Sequence, residues 1–296
     1  MREYQQYLEE IEHALQMIIP EDKEGLVHEK IPLKLAKSMN YSLLAGGKRL
    51  RPVMLVSAYA MKDRHWKQAL PFALALEMIH TYSLIHDDLP SIDNDAYRRG
   101  KLTNHKVFGE ANAVLAGDAL LNLAYETVFQ HMEPFGAKGI QAAKQIAFRA
   151  GSCGMIAGQS IDIAQEGEGG DEQTLVYIQT HKTAALFMAA MEAGVILGGG
   201  TQQEIAFARE YGHCFGLAFQ MIDDLLDIQG DPALLGKTVG KDAIQQKLTW
   251  PSLLGVEQTR ERAEGYIQKA TKAMSIFGEE GKFLIYLAQN TLQRVQ

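Results

Sequence analysis

Apolar residues recur at three- and four-residue spacing along most of the chain, and this periodicity restricts the fold more than any other feature. No stretch shows the sustained alternation of apolar and polar residues that is typical of strands. We therefore predict an all-α protein. The predicted helices cover residues 2–18, 33–45, 51–62, 67–88, 111–132, 137–165, 172–197, 202–229 and 259–275.

Several of these predicted helices are long and largely apolar, which indicates burial on most sides, as in a large helical bundle. Loops are predicted at the glycine-rich segments 166–171 and 197–201. No long low-complexity linker divides the chain. We therefore expect a single domain over residues 1–296.

Composition excludes several classes of function. Hydrophobic residues make up 47% of the chain, which is enough for a sizeable core, and the net charge of −7 argues against general nucleic-acid binding. Two cysteines, Cys153 and Cys214, are too few for a disulfide framework. The first twenty residues carry acidic side chains and no apolar signal segment, and the most apolar window is interrupted by Glu192. We expect a cytoplasmic protein without a membrane span.

Two aspartate clusters of similar form each end a largely apolar helix. They are IHDDLPSID (85–93), with Asp87, Asp88 and Asp93, and MIDDLLDIQGD (221–231), with Asp223, Asp224 and Asp227. Asp223 and Asp227 are four residues apart and share a helix face, whereas Pro90 must end the first helix, so Asp93 returns from a loop. Crowded carboxylates repel one another unless a cation compensates, and oxygen ligands without cysteine favour Mg²⁺.

Three other interpretations of these clusters are possible. A single cluster is equally well explained as a solvated helix end, but two matching clusters favour metal binding. The spacing of a calcium-binding EF-hand and its final glutamate are absent. His86 and Asp87 could form the His-Asp dyad of a metal phosphohydrolase, yet further histidine ligands at helical positions are not evident.

Cations suited to phosphate groups occur near both clusters. In GGKRLRP (46–52), glycines allow close backbone approach, and Lys48 and Arg51 share a face if the segment opens a helix. Arg98 and Arg99 form a second pair that could bind phosphate bidentately. GKTVGKD (236–242) lacks the first glycine of a phosphate-binding P-loop, so it is better interpreted as a flexible lid that offers Lys237.

Taken in order, these motifs resemble those of the short-chain trans-prenyltransferases, and most closely those of bacterial farnesyl diphosphate synthases. The matching motifs are GGKRLRP, DDLPSIDNDAYRRG, GQSID, HKTAAL, FQMIDDLLD and GKTVGKD, with LAQNTLQR near the C-terminus also similar. The resemblance implies a single-domain bundle of helices around a deep central cavity, usually assembled as a homodimer. It also implies Mg²⁺, usually three ions, and the head-to-tail joining of isopentenyl diphosphate to an allylic diphosphate.

The resemblance further implies a role for each matching residue. Metal ligands are Asp87, Asp93 and Asp223, with Asp88, Asp162, Asp224 and Asp227 as supporting carboxylates. The isopentenyl-diphosphate site comprises Gly47, Lys48, Arg51, His80 and Arg99. The allylic-diphosphate site comprises Arg98, Lys182, Thr183, Gln220, Lys237 and Lys247, of which Lys182, Thr183 and Gln220 are assigned catalytic roles. Gln159 matches a polar residue that supports the allylic site. Trp250 stands where tyrosine is commoner, and we expect little consequence.

Product length is expected to depend on Tyr82, five residues before Asp87 and so about 7.5 Å deeper along a helix. In the family an aromatic residue there resembles a floor that stops growth at fifteen carbons. Ser83 shares the face of Asp87 better, and ordinary core packing is the plain alternative for Tyr82. The two extra residues in DDLPSID, compared with the shorter DDxxD form, also match bacterial farnesyl synthases.

We therefore predict a farnesyl diphosphate synthase, with geranylgeranyl or geranyl diphosphate synthases as alternatives decided by that floor. A terpene cyclase also uses aspartates to bind metal ions, but it does not bind isopentenyl diphosphate. The presence of all the predicted isopentenyl-diphosphate residues (Lys48, Arg51, His80 and Arg99) therefore argues against a cyclase. A non-catalytic partner subunit would have damaged aspartate clusters, and both clusters here are intact.

Overall fold

The computed structural model describes residues 2–21, 30–229 and 247–293. Within these ranges the regular structure is helical apart from one two-stranded hairpin, so the all-α prediction is confirmed. None of the described helices is long and apolar enough to cross a membrane. The chain divides into two compact units, Met1–Val53 with Leu70–His131 and Met54–Ala69 with Met132–Gln296.

The first unit is built around the helix that ends at the first aspartate cluster. Its elements are α1 (Arg2–Ile18), α2 (Leu33–Leu43), the start of α3 (Leu50–Ala60), α4 (Leu70–Asp87), β1 (Tyr97–Arg98), β2 (Lys101–Leu102), α5 (Asn104–Phe108) and α6 (Glu110–His131). Helix α4 packs against α1, α2 and α6, and eleven of its eighteen residues are buried. This burial on most faces explains why its sequence is apolar almost throughout.

A buried ion pair fixes the GGKRLRP loop to α4. Arg49 is 3% exposed and donates to Glu77 at 2.6 Å, to Glu12 at 2.7 Å and to the Leu43 carbonyl at 2.7 Å. Burial works against the arginine charge, but Glu77 and Glu12 together outweigh burial and raise the pKa of Arg49. Loss of either partner would leave an uncompensated buried charge, so this arrangement holds the loop rigidly beside the helix.

The second unit contains the second aspartate cluster. Its elements are the end of α3, a 3₁₀ turn (Trp66–Ala69), α7 (Ala137–Ala150), α8 (Met155–Ala164), α9 (Glu172–Gln179), a π-helical turn (Thr180–Ala184), α10 (Ala185–Leu197), α11 (Gln202–Gln229), α12 (Trp250–Leu254), α13 (Val256–Met274) and α14 (Lys282–Leu292). Every residue of α10 is buried. Its one charge, Glu192, accepts hydrogen bonds from Arg149 of α7 at 3.0 Å and Arg209 of α11 at 2.5 Å.

The structure corrects the predicted elements in several places. The helix predicted over 137–165 is broken at 151–154, because a Cβ at Gly154 would lie 2.0 Å from the Arg149 carbonyl oxygen. The hairpin at 97–102 was not predicted, since two paired residues per strand are too few to show alternation. Helices α5, α12 and α14 were also missed, and α13 begins at Val256 rather than at residue 259.

Candidate active site

The first aspartate cluster lies where α4 ends. The helix stops at Asp87, one residue before the predicted end, and the chain turns so that the Asp93 N–H donates to the Asp87 carbonyl at 2.8 Å. Two further N–H groups of the turn, those of Ile92 and Asn94, donate to the Leu89 carbonyl at 2.9 and 3.1 Å. Carboxylates at a helix C-terminus oppose the helix dipole, so this end is prepared for a cation.

Asp88 faces a different partner from its neighbours. It is 3% exposed, and Arg98 holds both of its oxygens, with Nε at 2.8 and 2.9 Å and Nη2 at 2.6 Å. Burial raises the pKa of Asp88, and the charge and hydrogen bonds of Arg98 oppose that shift. In the reverse direction, burial opposes the charge of Arg98, but Asp88 raises its pKa. Asp88 therefore orients Arg98 and does not stand open as a ligand.

The hairpin of β1 and β2 directs the side chains of Arg98 and Arg99 to different partners. Arg99 and Gly100 form its two-residue turn with φ of 53° and 74°, the pattern of a type I′ turn, which matches the twist of the strands. Arg98 lies on β1 and reaches Asp88, whereas Arg99 donates to the carbonyl oxygen of Gly46. Burial lowers the pKa of Arg99, with Glu77 opposing that shift. Arg99 is thus a half-buried cation whose hydrogen bond goes to a neutral carbonyl, and a bound anion would stabilise its charge.

The GGKRLRP segment adds the cation Arg51 beside Arg99, and α4 adds the neutral ring of His80. Gly47 has φ of 130°, and a Cβ there would lie 2.9 Å from Cζ of Arg99, so only glycine lets that guanidinium lie over the loop. Arg51 Nη1 is 3.3 Å from His80 Nε2, which must accept and therefore carries no proton. Burial, and then Arg51, hold the pKa of His80 well below its usual range.

One premise about this loop was wrong. Helix α3 begins at Leu50, so Lys48 lies in the preceding loop and the helical face that it was predicted to share with Arg51 does not exist. Lys48 is exposed, and its carbonyl accepts from the Tyr4 hydroxyl at 2.5 Å. Its predicted role at the isopentenyl-diphosphate site therefore depends on the loop rather than on a helix.

Tyr82 and Ser83 lie in α4, five and four residues before Asp87. Tyr82 is 5% exposed, and Ser83 is half-buried with its hydroxyl donating to the His80 carbonyl at 2.9 Å. Burial raises the pKa of Tyr82, and its hydroxyl has no hydrogen-bond partner among the described residues. The ring is therefore a neutral, buried group inside the first unit.

In the second unit, the first four residues of the HKTAAL motif lie in the π-helical turn (Thr180–Ala184), a feature that is frequent at functional sites. Lys182 does not point to solvent as a lone lysine in an apolar helix usually does, but donates to Asp162 of α8 at 2.5 Å. Helix α8 lies so close to the π-helical turn that a Cβ at Gly158 would be 2.1 Å from the Lys182 backbone nitrogen, so this approach requires glycine. The amide nitrogen and oxygen of Gln159 are both buried and have no hydrogen-bond partner among the described residues.

A chain of hydrogen bonds links the π turn to α11. Thr183 donates to Gln220 Oε1 at 2.9 Å, and Gln220 Nε2 donates to Asp224 at 2.9 Å. Asp224 also accepts from the backbone N–H of Trp250 at 3.1 Å, and the Trp250 ring N–H donates to Gln179. These contacts fix the amide of Gln220 so that it cannot rotate freely.

The second aspartate cluster lies on a continuous stretch of α11, as predicted. Asp223 is half-buried and Asp227 is 4% exposed, one helical turn apart. Lys247 Nζ lies 3.8 Å from Glu166. Lys237, the predicted lid cation, is outside the described residues.

Comparison with a protein-family model covers the candidate site residues of both units. The sequence model for polyprenyl synthetase matches residues 32–279, which include every candidate site residue. The chain belongs to the polyprenyl synthetase family.

Two curated polyprenyl synthetase relatives illustrate the similarity. The heterodimeric geranylgeranyl pyrophosphate synthase large subunit 1 of Arabidopsis thaliana is 48% identical over 241 residues, which are 79% of this chain and 64% of that protein. The dimethylallyltranstransferase of Fischerella ambigua is 44% identical over 273 residues, 92% of this chain and 79% of that protein. This chain thus spans less than two thirds of the length of the plant relative.

Among solved structures, the geranyltransferase from Helicobacter pylori, complexed with magnesium and isoprenyl diphosphate, has a TM-score of 0.85 at 28% identity. The match covers 98% of this chain and 96% of that one. The helical fold of this polyprenyl synthetase is therefore the isoprenoid synthase fold.

The donor atoms of the two aspartate clusters fit magnesium. They are all carboxylate oxygens, and among the described residues the one histidine, cysteine and carboxylate group with closely converging ligand atoms is Glu210, His213 and Cys214, which contains no aspartate of either cluster. Within the described ranges, therefore, no three ligand atoms that include an aspartate of either cluster converge closely enough to enclose an ion. Mg²⁺ seldom needs an all-protein cage, because it keeps waters and binds substrate phosphates beside one or two carboxylates.

Sequence reasoning missed three residues of this site. Trp250, expected to be a departure of little consequence, is fully buried and anchors Asp224. Gln179, which receives the Trp250 ring N–H, carried no distinguishing signal among polar helix residues. Gly158 did carry a signal, since glycine inside a helical pattern is destabilising and usually has a packing reason.

Proposed function

We propose that this polyprenyl synthetase is a Mg²⁺-dependent prenyltransferase that joins isopentenyl diphosphate head to tail to an allylic diphosphate and releases pyrophosphate. The observation that carries the proposal is the cation group of the first unit: Arg51, in contact with the neutral ring of His80, and Arg99, held over Gly47. A terpene cyclase, which takes one diphosphate substrate, has no use for this group beside an intact aspartate cluster. A non-catalytic subunit has no use for the aspartates.

Each unit supplies its own part of the chemistry. Asp87 and Asp93, and in the second unit Asp223, would hold magnesium, with Asp88, Asp162, Asp224 and Asp227 as supports. Magnesium, when bound, neutralises diphosphate charge and favours departure of pyrophosphate. We assign isopentenyl diphosphate to the cation group and the allylic diphosphate to Arg98, Lys182, Lys237 and Lys247.

In the second unit, the hydrogen-bonded side chains of Thr183, Gln220 and Asp224 are assigned to stabilising the reacting carbon of the allylic substrate. Breaking the allylic C–O bond leaves a carbocation, which the double bond of isopentenyl diphosphate attacks to form the new C–C bond. The proton lost at the end goes to the departing pyrophosphate, so no strong protein base is needed. Thr183 and Gln220, fixed by Asp224, would present oxygen atoms to the cation, and the Lys182 ammonium would face the leaving group.

Product length has two candidates. The plant relative is named as a geranylgeranyl synthase, and such names favour a twenty-carbon product over the fifteen-carbon product predicted from the motifs. The buried ring of Tyr82 in α4 favours fifteen carbons, since it lies about 7.5 Å before Asp87 along the helix axis. Product analysis of the wild-type protein distinguishes the two.

Three further expectations belong to the proposal. The two compact units act as one catalytic domain over residues 1–296, the active form is a homodimer, and the protein works in the cytoplasm. Interruption of catalysis by separate substitutions in each unit, an equilibrium mass twice that of the chain, and fractionation of cells test these points in turn.

The experiment is a condensation assay with purified full-length protein, Mg²⁺, labelled isopentenyl diphosphate and either dimethylallyl or geranyl diphosphate. We expect label in a linear prenyl diphosphate of fifteen or twenty carbons, and loss of activity when EDTA removes the metal. Consumption of neither substrate over a range of Mg²⁺ concentrations would refute the proposal.

A further inference from the structure

His86, one residue before the first aspartate, connects Tyr82 to helix α6. Its ring meets the Tyr82 ring edge to face, with centroids 5.7 Å apart and an interplanar angle of 78°. On its other side, its Nε2 lies 3.0 Å from the carbonyl oxygen of Val114. A carbonyl can only accept, so Nε2 carries the proton and donates. The imidazole therefore bridges Tyr82 and the backbone of α6.

Gly117 provides the space for this imidazole. A Cβ there would lie 2.1 Å from His86 Nε2 and 2.5 Å from Cδ2, a distance that real side chains do not reach. Glycine in a helix interior is less stable than alanine by about 0.5–1 kcal/mol, and α6 uses alanine at Ala113, Ala116 and Ala124. Gly117 therefore destabilises α6 slightly relative to alanine, at a position where a methyl group would displace His86.

Nothing polar fixes the Tyr82 ring. Its hydroxyl has no hydrogen-bond partner among the described residues, so packing alone determines where the ring lies. His86 contacts the ring directly, and an edge-to-face pair favours one orientation over others. The orientation of Tyr82 therefore depends on His86, and through His86 on Gly117.

We propose that His86 is a positioning residue for product length: held against α6 in the space left by Gly117, it fixes the Tyr82 ring and so determines where chain growth stops. This inference rests on the proposed prenyltransferase function and adds two residues to its specificity. It needs no contact between His86 and the substrate.

The test compares product lengths of full-length variants, expressed as the ratio of longer to shorter products. Gly117→Ala pushes the imidazole away and His86→Ala removes it, so each should raise the ratio by roughly two- to tenfold, the factor expected from losing one aromatic pair. In the double variant, Gly117→Ala should add nothing to the effect of His86→Ala, because both act through the same ring. Gly265→Ala is the matched control, since a Cβ at Gly265 has nothing within 4 Å.

A fourth variant separates the ring from the hydrogen bond. His86→Gln keeps a donor for the Val114 carbonyl but has no ring, so its ratio should match that of His86→Ala. If Gly117→Ala does not fold, His86→Ala and His86→Gln carry the test alone.

The inference would be overturned by unchanged ratios with only lower turnover, or by a Gly117→Ala effect that persists in full without His86. A wild-type ratio in His86→Gln would also overturn it, because the hydrogen bond would then be the determinant. No condensation by the wild-type protein would instead refute the proposed function.

Discussion

Truncation of Tyr82 is the sharpest test of how this chain limits its product. Tyr82 is 5% exposed and lies five residues before Asp87, about 7.5 Å along the helix. Tyr82→Ala removes the ring from that depth and opens space for further isoprene units. We therefore expect the main product to lengthen by at least one five-carbon unit.

The same substitution has a calculable effect on stability. Replacing a buried aromatic ring with alanine lowers the free energy of unfolding by about 3–5 kcal/mol, through lost burial and the cavity that remains. Tyr82→Phe is the control, because it keeps the ring and deletes a hydroxyl that has no partner among the described residues. It should leave the free energy of unfolding unchanged or raise it by about 1 kcal/mol, with product length unchanged.

Both quantities are needed for a decision. Urea denaturation gives the free energies, and chromatography of dephosphorylated products gives the lengths, at a temperature where all three proteins are folded. A stability loss of about 3 kcal/mol with wild-type product length would refute the reasoning, since Tyr82 would then be ordinary core packing.

Three further predictions concern charge and backbone. Asp87→Asn and Asp223→Asn should each lower kcat at least about 100-fold while the circular dichroism spectrum is retained; near-normal turnover would contradict the metal assignment. Gly47→Ala should raise KM for isopentenyl diphosphate about tenfold, because its Cβ displaces the Arg99 guanidinium; a change confined to the allylic substrate would contradict that assignment. His80 has a folded-state pKa well below its usual value, so below about pH 6.5 the unfolded chain binds more protons and stability falls as pH falls. Urea denaturation should show that His80→Gln weakens the loss of stability below about pH 6.5. An unchanged pH dependence would contradict the assignment of this loss to His80.

The helical fold followed from periodicity, yet its boundaries did not. At the break at 151–154, Gly154 lies against the Arg149 carbonyl, and Gly151 and Gly154 are a local signal that the predicted helix over 137–165 passed over. The hairpin at 97–102 depends on two turn residues with positive φ, and one of them, Arg99, is not a residue that usually adopts such a conformation.

The candidate site shows a similar division. Residue types and motif order were enough to propose Asp87, Asp223 and Lys182 as site residues, because their chemistry is visible in the sequence. What each side chain contacts was not visible: Asp88 is held by Arg98, and Asp224 by Gln220 and the Trp250 backbone. Those pairings depend on tertiary packing between elements distant in sequence.

The central claim, condensation of two diphosphates, is tested most directly by measuring pyrophosphate release and isopentenyl diphosphate consumption in the same reaction. The proposed function predicts one pyrophosphate released for each isopentenyl diphosphate consumed, at every product length and only with Mg²⁺ present. Pyrophosphate release from the allylic substrate while isopentenyl diphosphate remains unconsumed would contradict it, because that result is the signature of a cyclase or a hydrolase.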